Sequence, residues 1–325
     1  MPNHASWETR DRRAQEHDGL EDVSSAPSVW GNMTESPESI VVGGHGFIGS
    51  ALAARLERIG ASVERAGRDA TGPASASLDR IAQARTIFWS ASSVNPKIAA
   101  ESPEAVAADR AAFSGFLDAL DARRSTARVV LFSSGGTVYG DARPPFSEST
   151  TARPTSAYGR VKLALEQTLL ERRAESVVVR ISNAYGPGQR PAPGQGVIGH
   201  WLRALARREP IEIYGSLDAA RDYVYIDDLV DALIAVARSG ELPPVLNLGS
   251  GTPTTLGEIL QVVEAVSHEH PADVRHMPAR SFDLEQVWLD TRLAKDTLGW
   301  TAGTDLATGI TAMWRWALAV GDWHQ

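Results

Sequence analysis

From Ile40 onward, short runs of apolar residues alternate with longer stretches in which apolar positions recur every three or four residues. The first run, Ile40-Val41-Val42, has the character of a short buried strand, and residues 50–58 follow it with the period of an amphipathic helix. Further strands are predicted at 62–66 and 85–89, and the stretch between them is short and rich in Ala, Ser and Gly, so one helical connection is expected to be reduced. A helix from about 103 to 123 leads to a nearly continuous apolar run at 128–132, the pattern of a strand covered on both faces. A helix over 157–173 and a strand at 176–180 continue the alternation. Strands alternating with helices in this way predict an α/β fold built on a doubly wound parallel sheet.

Beyond Ser182 the pattern loosens. Residues 186–194 read Gly-Pro-Gly-Gln-Arg-Pro-Ala-Pro-Gly, a loop by composition. A helix at 195–208 and short strands at 211–214 and 223–226 come next, and 245–248 is expected to return to the main sheet. Residues 1–38 are rich in Ser, Pro and charged side chains, show no sustained period, and are read as a disordered leader.

The join between the first strand and the first helix is Gly43-Gly44-His45-Gly46-Phe47-Ile48-Gly49. Glycine gives a tight turn at Gly43, close backbone approach to a pyrophosphate at Gly46, and close helix–strand packing at Gly49. The helix that begins there offers Phe47, Ile48 and its positive end to an anion. Residues 39–182 are therefore expected to form a dinucleotide-binding domain. Residues 183–325 are expected to form a smaller, mainly substrate-binding domain, part of which returns to the sheet.

Composition narrows the partners. The chain has 325 residues, 43% of them hydrophobic, enough for one large or two coupled domains. A net charge of −8 argues against a nucleic-acid surface but allows a local basic pocket for a phosphorylated small molecule. The absence of cysteine excludes disulfides, thiolate metal sites and thiol nucleophiles. No apolar run approaches the roughly 20 residues that span a bilayer, and no signal-peptide core is present, so a cytoplasmic protein without a membrane partner is expected.

Tyr158 and Lys162 lie four apart near the start of a predicted helix and so share a face. An ammonium beside a phenol favours the phenolate, which makes the two a proton-transfer pair. Upstream, Ser133-Ser134-Gly135-Gly136-Thr137-Val138-Tyr139-Gly140 closes the apolar strand. Asp227-Asp228 is read as a helix start with first-turn acids, His45 as a turn residue, and no metal site is predicted.

With these motifs, together with Asn183-Ala-Tyr-Gly-Pro-Gly-Gln189, Arg221-Asp-Tyr-Val-Tyr-Ile-Asp-Asp228, Asn247-Leu-Gly-Ser-Gly251 and Leu298-Gly-Trp300, the chain resembles the extended short-chain dehydrogenase/reductases, in their nucleotide-sugar epimerase/dehydratase branch. The resemblance covers about residues 39–320. It implies a Rossmann-type sheet, a C-terminal domain closing over a nucleotide-diphosphate sugar, hydride exchange with NAD(P), and a homodimer. By position it implies Tyr158 as acid/base and Lys162 as its partner and a ligand of the nicotinamide ribose. It also implies Asn183 at the diphosphate, Arg221 and Arg280 on the phosphates, and Tyr214 against the nucleobase. Two bland readings stay open: Arg221 with Asp222 as a surface ion pair, and Tyr214 as core.

Two departures from the family pattern bear on the reaction. The family places Ser or Thr three residues before the Val of its Val-Tyr-Gly, where this chain has Gly135. Ser134 is expected to supply the hydroxyl, with Thr137, a water or the substrate as alternatives, and Gly135 with Gly136 alternatively opens space for a bulkier sugar. NAD users carry an acid at the end of the second strand, where this chain has Gly67 followed by Arg68 and Asp69. Arg68 facing a 2′-phosphate favours NADP, and a register shifted by two would make Asp69 the ribose ligand and the cofactor NAD. The expected activity is reduction of an NDP-4-keto-(deoxy)hexose, with NDP-sugar 4-epimerisation as the alternative. A catalytically inactive cofactor sensor is the alternative of another class.

Overall fold

The computed structural model describes residues 38–72, 75–192, 195–268, 273–279 and 284–320. Apart from Glu38, the leader read over 1–38 lies outside the described residues, as does Arg280. Strand β1 (Ser39–Val42), helix α1 (Phe47–Arg58) and strand β2 (Val63–Ala66) open the fold. After β2 the connection holds, among the described residues, a single 3-10 turn (Asp69–Thr71) and the five-residue α2 (Leu78–Ala82) before β3 (Thr86–Trp89), the reduced unit that the small-residue stretch predicted. Then come α3 (Pro96–Glu101), α4 (Pro103–Ala122), β4 (Arg128–Ser134), α5 (Ala157–Arg172) and β5 (Val177–Ile181).

The second half supplies β6 (Asn183–Tyr185), α6 (Val197–Arg207), β7 (Ile211–Tyr214), β8 (Ala220–Tyr225), α7 (Ile226–Arg238) and β9 (Val245–Leu248). It closes with β10 (Pro253–Thr255), α8 (Leu256–Ser267), β11 (Val274–Met277), β12 (Gln286–Val287), α9 (Arg292–Leu298) and α10 (Leu306–Val320).

Six strands form the main sheet in the order β2–β1–β3–β4–β5–β9. Every pairing in it is parallel, and β9 does return to the sheet beside β5. This is a doubly wound, Rossmann-like sheet. The chain reverses direction across the sheet between β1 and β3, so a crevice opens at their carboxyl ends, where such folds hold ligands. Ile40, Ile87, Val129 and Val178 are fully buried among Leu117, Phe113 and Phe116 of α4 and Leu165 and Leu169 of α5. A second cluster joins α6, α8 and α10 through Leu202, Ile259 and Ile310 over β7.

Several ends differ from the sequence reading for identifiable reasons. Helix α1 begins at Phe47, three residues before the periodic stretch, because Gly46 serves as its N-cap. Asn95 accepts from the Ile98 N–H with Pro96 at the first turn, so the segment 92–96 runs from loop into helix α3. Strand β8 starts at Ala220 and so includes Arg221 and Asp222, while Ile226 starts α7. Asp227 and Asp228 fall in the first turn of α7 as read, behind Tyr225 as N-cap.

Candidate active site

A cleft of about 1740 Å³ runs along the carboxyl ends of β1, β3, β4 and β5. Gly46, Phe47, Ile48 and Gly49 line one part of it. Gly43 has φ +85°, and a Cβ there would lie 2.7 Å from both the Ala91 N and the Ser90 Oγ; a Cβ on Gly49 would run into the Gly43 carbonyl. The turn is therefore closed as tightly as glycine permits. The helix N-terminus behind it carries no side-chain cap, leaving its first N–H groups to an anion. These residues fit the pyrophosphate of a dinucleotide.

Tyr158, Lys162, Ser134 and Thr137 line the same cleft. Ser156 caps α5 by accepting from the Gly159 N–H at 3.0 Å, which fixes where the helix presents Tyr158. Lys162 is 8% exposed; its Nζ donates to the Phe132 carbonyl at 3.2 Å and stands 5.6 Å from the centre of the Tyr158 ring. The ammonium is thus pinned between β4 and the phenol.

Gly135 does not face the cleft. Its N–H donates to the Ile181 carbonyl, continuing the β4–β5 pairing, and a Cβ on it would lie 2.7 Å from Leu289 Cδ1 and 3.2 Å from the Arg180 carbonyl. Leu289 fills the space beside Gly135, so this glycine opens no room for a bulkier sugar, whereas Gly136 lines the cleft with nothing within 4 Å of where its Cβ would stand. Ser134 and Thr137, on either side of Gly135 and Gly136, do line the cleft, and Thr137 Oγ1 is buried without a protein partner.

Below the pair lies a buried polar network that the sequence reading missed. Glu166, one turn beyond Lys162, accepts from Ser133 Oγ and from Arg180 of β5, with Nη2 to Oε2 at 2.6 Å and Nε to both oxygens at 3.2 Å. Burial opposes the charge of Arg180, yet the hydrogen bonds and charge of Glu166 hold its pKa above the ordinary value. Its guanidinium lies 4.7 Å from the centre of the Tyr139 ring. Burial raises the Tyr139 pKa, and its hydroxyl donates to Asn247 Oδ1 at 2.6 Å. The spacing of Lys162 and Glu166 on one helical face was the available signal.

At the other end of the cleft stand Asn183, Arg221 and Tyr214. Asn183 Nδ2 donates to the Asp222 carbonyl at 3.0 Å. Arg221 Nη1 donates to the Ala220 and Glu285 carbonyls, and the Tyr214 hydroxyl donates to Glu212 Oε2 at 2.8 Å. Alternation along β8 sends Asp222 the other way, so it forms no surface ion pair with Arg221. It is 1% exposed and accepts from Ser250 N, Ser250 Oγ, Gly251 N and Leu289 N. Burial raises its pKa against those donors.

Arg68 follows β2 and is half-exposed, with Nη1 3.6 Å from Asp109 Oδ1. The Asp69 carboxylate occupies the space beside Gly67 where a Cβ would stand. Asp228 uses its carboxylate to hold the Gly303 and Thr304 N–H groups, a structural task. Among the described residues no group of three or more His, Asp or Glu could hold a metal.

A doubly wound sheet, a glycine turn at its first helix and a Tyr/Lys pair thus meet on one cleft. The chain belongs to the NAD dependent epimerase/dehydratase family, whose model matches residues 39–249. It is 35% identical over 187 residues to the dTDP-4-dehydro-6-deoxyglucose reductase of Escherichia coli, covering 56% of this chain and 59% of the relative. It is 32% identical over 212 residues to a UDP-glucose 4-epimerase of Rhizobium leguminosarum bv. trifolii, covering 57% and 63%. The chain thus matches less than two-thirds of the length of these curated relatives. Among solved structures it is similar to MoeE5 in complex with UDP-glucuronic acid and NAD, with TM-score 0.79, 30% identity, and coverage of 87% of this chain and 99% of that one.

Proposed function

We propose that this protein exchanges hydride at C4 of a nucleotide-diphosphate hexose, and that in its first reading it reduces an NDP-4-keto-(deoxy)hexose. The observation that carries this is one cleft lined by the glycine cradle, by Tyr158, Lys162 and Ser134, and by Asn183, Arg221 and Tyr214. Gly46, Phe47, Ile48 and Gly49 would hold the pyrophosphate, and the bound nicotinamide would supply or accept the hydride. The Tyr158 hydroxyl donates a proton to the sugar oxygen as a ketone is reduced and takes one back in the reverse direction. Lys162, fixed by the Phe132 carbonyl, keeps a positive charge beside that phenol. Ser134 hydrogen-bonds the same sugar oxygen. Arg221 gives a planar, charged set of donors for phosphate, Asn183 lies along the diphosphate, and Tyr214 offers a ring to the base.

A second reading is 4-epimerisation, supported by the 4-epimerase likeness of this chain. For the cofactor, Arg68 supports NADP, while Asp69 folded over Gly67 supports NAD. A sensor without catalysis has no use for the Tyr158–Lys162 pair beside a phosphate grip. The test supplies dTDP-4-keto-6-deoxyglucose with NADPH, and separately UDP-glucose with NAD. Stoichiometric NADPH oxidation supports the reductase. Formation of UDP-galactose without net cofactor change supports the epimerase. Cofactor binding with turnover of neither substrate overturns both. Tyr158→Phe should lower turnover by roughly 10²–10⁴ with the fold intact; near-normal turnover removes the phenol from the chemistry.

A further inference from the structure

Asp109 of α4 is a buried carboxylate that the chemistry above does not use. It is 4% exposed and gathers the loop that follows β3: Ser93 N–H donates to Oδ1 at 2.8 Å, Ser93 Oγ to Oδ1 at 3.2 Å, and Ser92 Oγ to Oδ2 at 3.0 Å. Ser92, Ser93, Val94 and Asn95 of that loop line the cleft. The same Oδ1 faces Arg68 Nη1 at 3.6 Å. One carboxylate therefore ties a cleft-wall loop to the cation that follows β2.

We propose that Asp109 sets the choice between NAD and NADP by competing for Arg68. The proposal rests on the reading that the adenosine ribose of the cofactor lies at the end of β2. A 2′-phosphate brings nearly two negative charges and strong acceptor oxygens to that end. To meet it, Arg68 must turn from Asp109, and the phosphate then lies near a carboxylate that has lost its countercharge. Both effects oppose NADP, and neither touches NAD, whose 2′-hydroxyl is neutral. The Asp69 carboxylate over Gly67 adds a second negative charge at the same place. Arg68 is 42% exposed, so solvent screens its pairing and the competition is moderate.

The test is titration of the full-length protein with NADP⁺ and NAD⁺, following dissociation constants by calorimetry. Asp109→Asn keeps a carbonyl oxygen for the Ser93 N–H and removes the charge. It should tighten NADP⁺ by about two- to fivefold and leave NAD⁺ unchanged, the scale of a partly exposed charge pair. Arg68→Ala should weaken NADP⁺ alone, and adding it to Asp109→Asn should abolish the gain. Ser93→Ala loosens the loop without changing charge and should leave the ratio of the two constants unaltered. Equal changes for both cofactors in Asp109→Asn, or no change, overturn the proposal while an NADP⁺-specific loss in Arg68→Ala keeps the cofactor reading. If Arg68→Ala alters neither constant, the cofactor reading and the proposal fall together. A ratio shifted by Ser93→Ala as much as by Asp109→Asn reduces Asp109 to a structural tie and also overturns it.

Discussion

Replacing Glu166 by Gln keeps the shape of the side chain and removes the charge on which Arg180 depends. Glu166 is 2% exposed and receives three guanidinium hydrogen bonds, the shortest at 2.6 Å, together with the Ser133 hydroxyl. After the change Arg180 remains charged and buried, and an amide NH₂ faces its donors. Removing one partner of a buried pair costs about 3–5 kcal/mol. Arg180 keeps its stacking 4.7 Å from the Tyr139 ring, worth roughly 1 kcal/mol, so the lower end of the range, about 3 kcal/mol, is expected. Urea denaturation followed by tryptophan fluorescence reads this as a fall in midpoint with unchanged slope. A variant with Met at both 166 and 180 should regain most of the loss, since it strands no charge. A loss below about 1 kcal/mol in Glu166→Gln, or a double variant less stable than the single, would refute the view that the pair is a buried charge in need of its partner.

Other perturbations follow from neighbouring geometry. Arg128 donates to the carbonyls of Glu175, Val236, Ser239 and Gly240, joining the ends of β4, β5 and α7. Arg128→Lys cannot span that set and should cost about 1–3 kcal/mol in denaturation. Thr255 and Glu258 form a capping box on α8, and Thr255→Ala should cost about 1 kcal/mol. The Thr255 donors lower the Glu258 pKa from 4.5, so this contribution is complete above pH 4.5 and is lost as pH falls through the lower folded value. The Thr255 backbone N–H donor persists in Thr255→Ala and the lost cap to the Glu258 N–H does not titrate, so denaturation of the two proteins should draw closer in acid only by the share of the Thr255 hydroxyl. Gly135→Ser should be overpacked against Leu289, losing about 1–3 kcal/mol without gaining turnover, whereas Ser134→Ala should lose turnover at little cost in stability. Steady-state kinetics and melting of the two variants separate the outcomes.

Strands β1, β3, β4 and β5 were legible because each is a compact apolar run bounded by glycines or polar turns, and parallel strands covered on both faces leave that mark. The Gly43–Gly49 turn and the Tyr158/Lys162 spacing were legible for a related reason: the chemistry demands a fixed interval along one local element. What could not be read depends on distant packing. Gly135 looks like an opening until Leu289, far along the chain, is seen to fill it. Asp222 sits beside Arg221 in sequence, yet strand alternation turns it into the core to hold Ser250, Gly251 and Leu289. Asp109 is one acid on a long helix, and only the return of the Ser92–Ser93 loop gives it a task. The short strands β6, β10 and β12 carry too few residues to show a period of their own.

The place of β9 in the main sheet has a kinetic consequence. Its neighbour β5, Val-Val-Val-Arg-Ile, is complete roughly 60 residues before β9 is synthesised. At a ribosomal rate of about 5–20 residues per second, that interval is on the order of 3–12 s. During it the nascent sheet can close only on its β4 side, and an apolar strand presents an unpaired edge, the kind of surface that recruits other chains. Asn247, which receives the Tyr139 hydroxyl and donates to the Phe146 carbonyl, arrives with the same late strand. Slow translation through 182–244 would therefore prolong exposure of that apolar edge, and rapid translation there would shorten it.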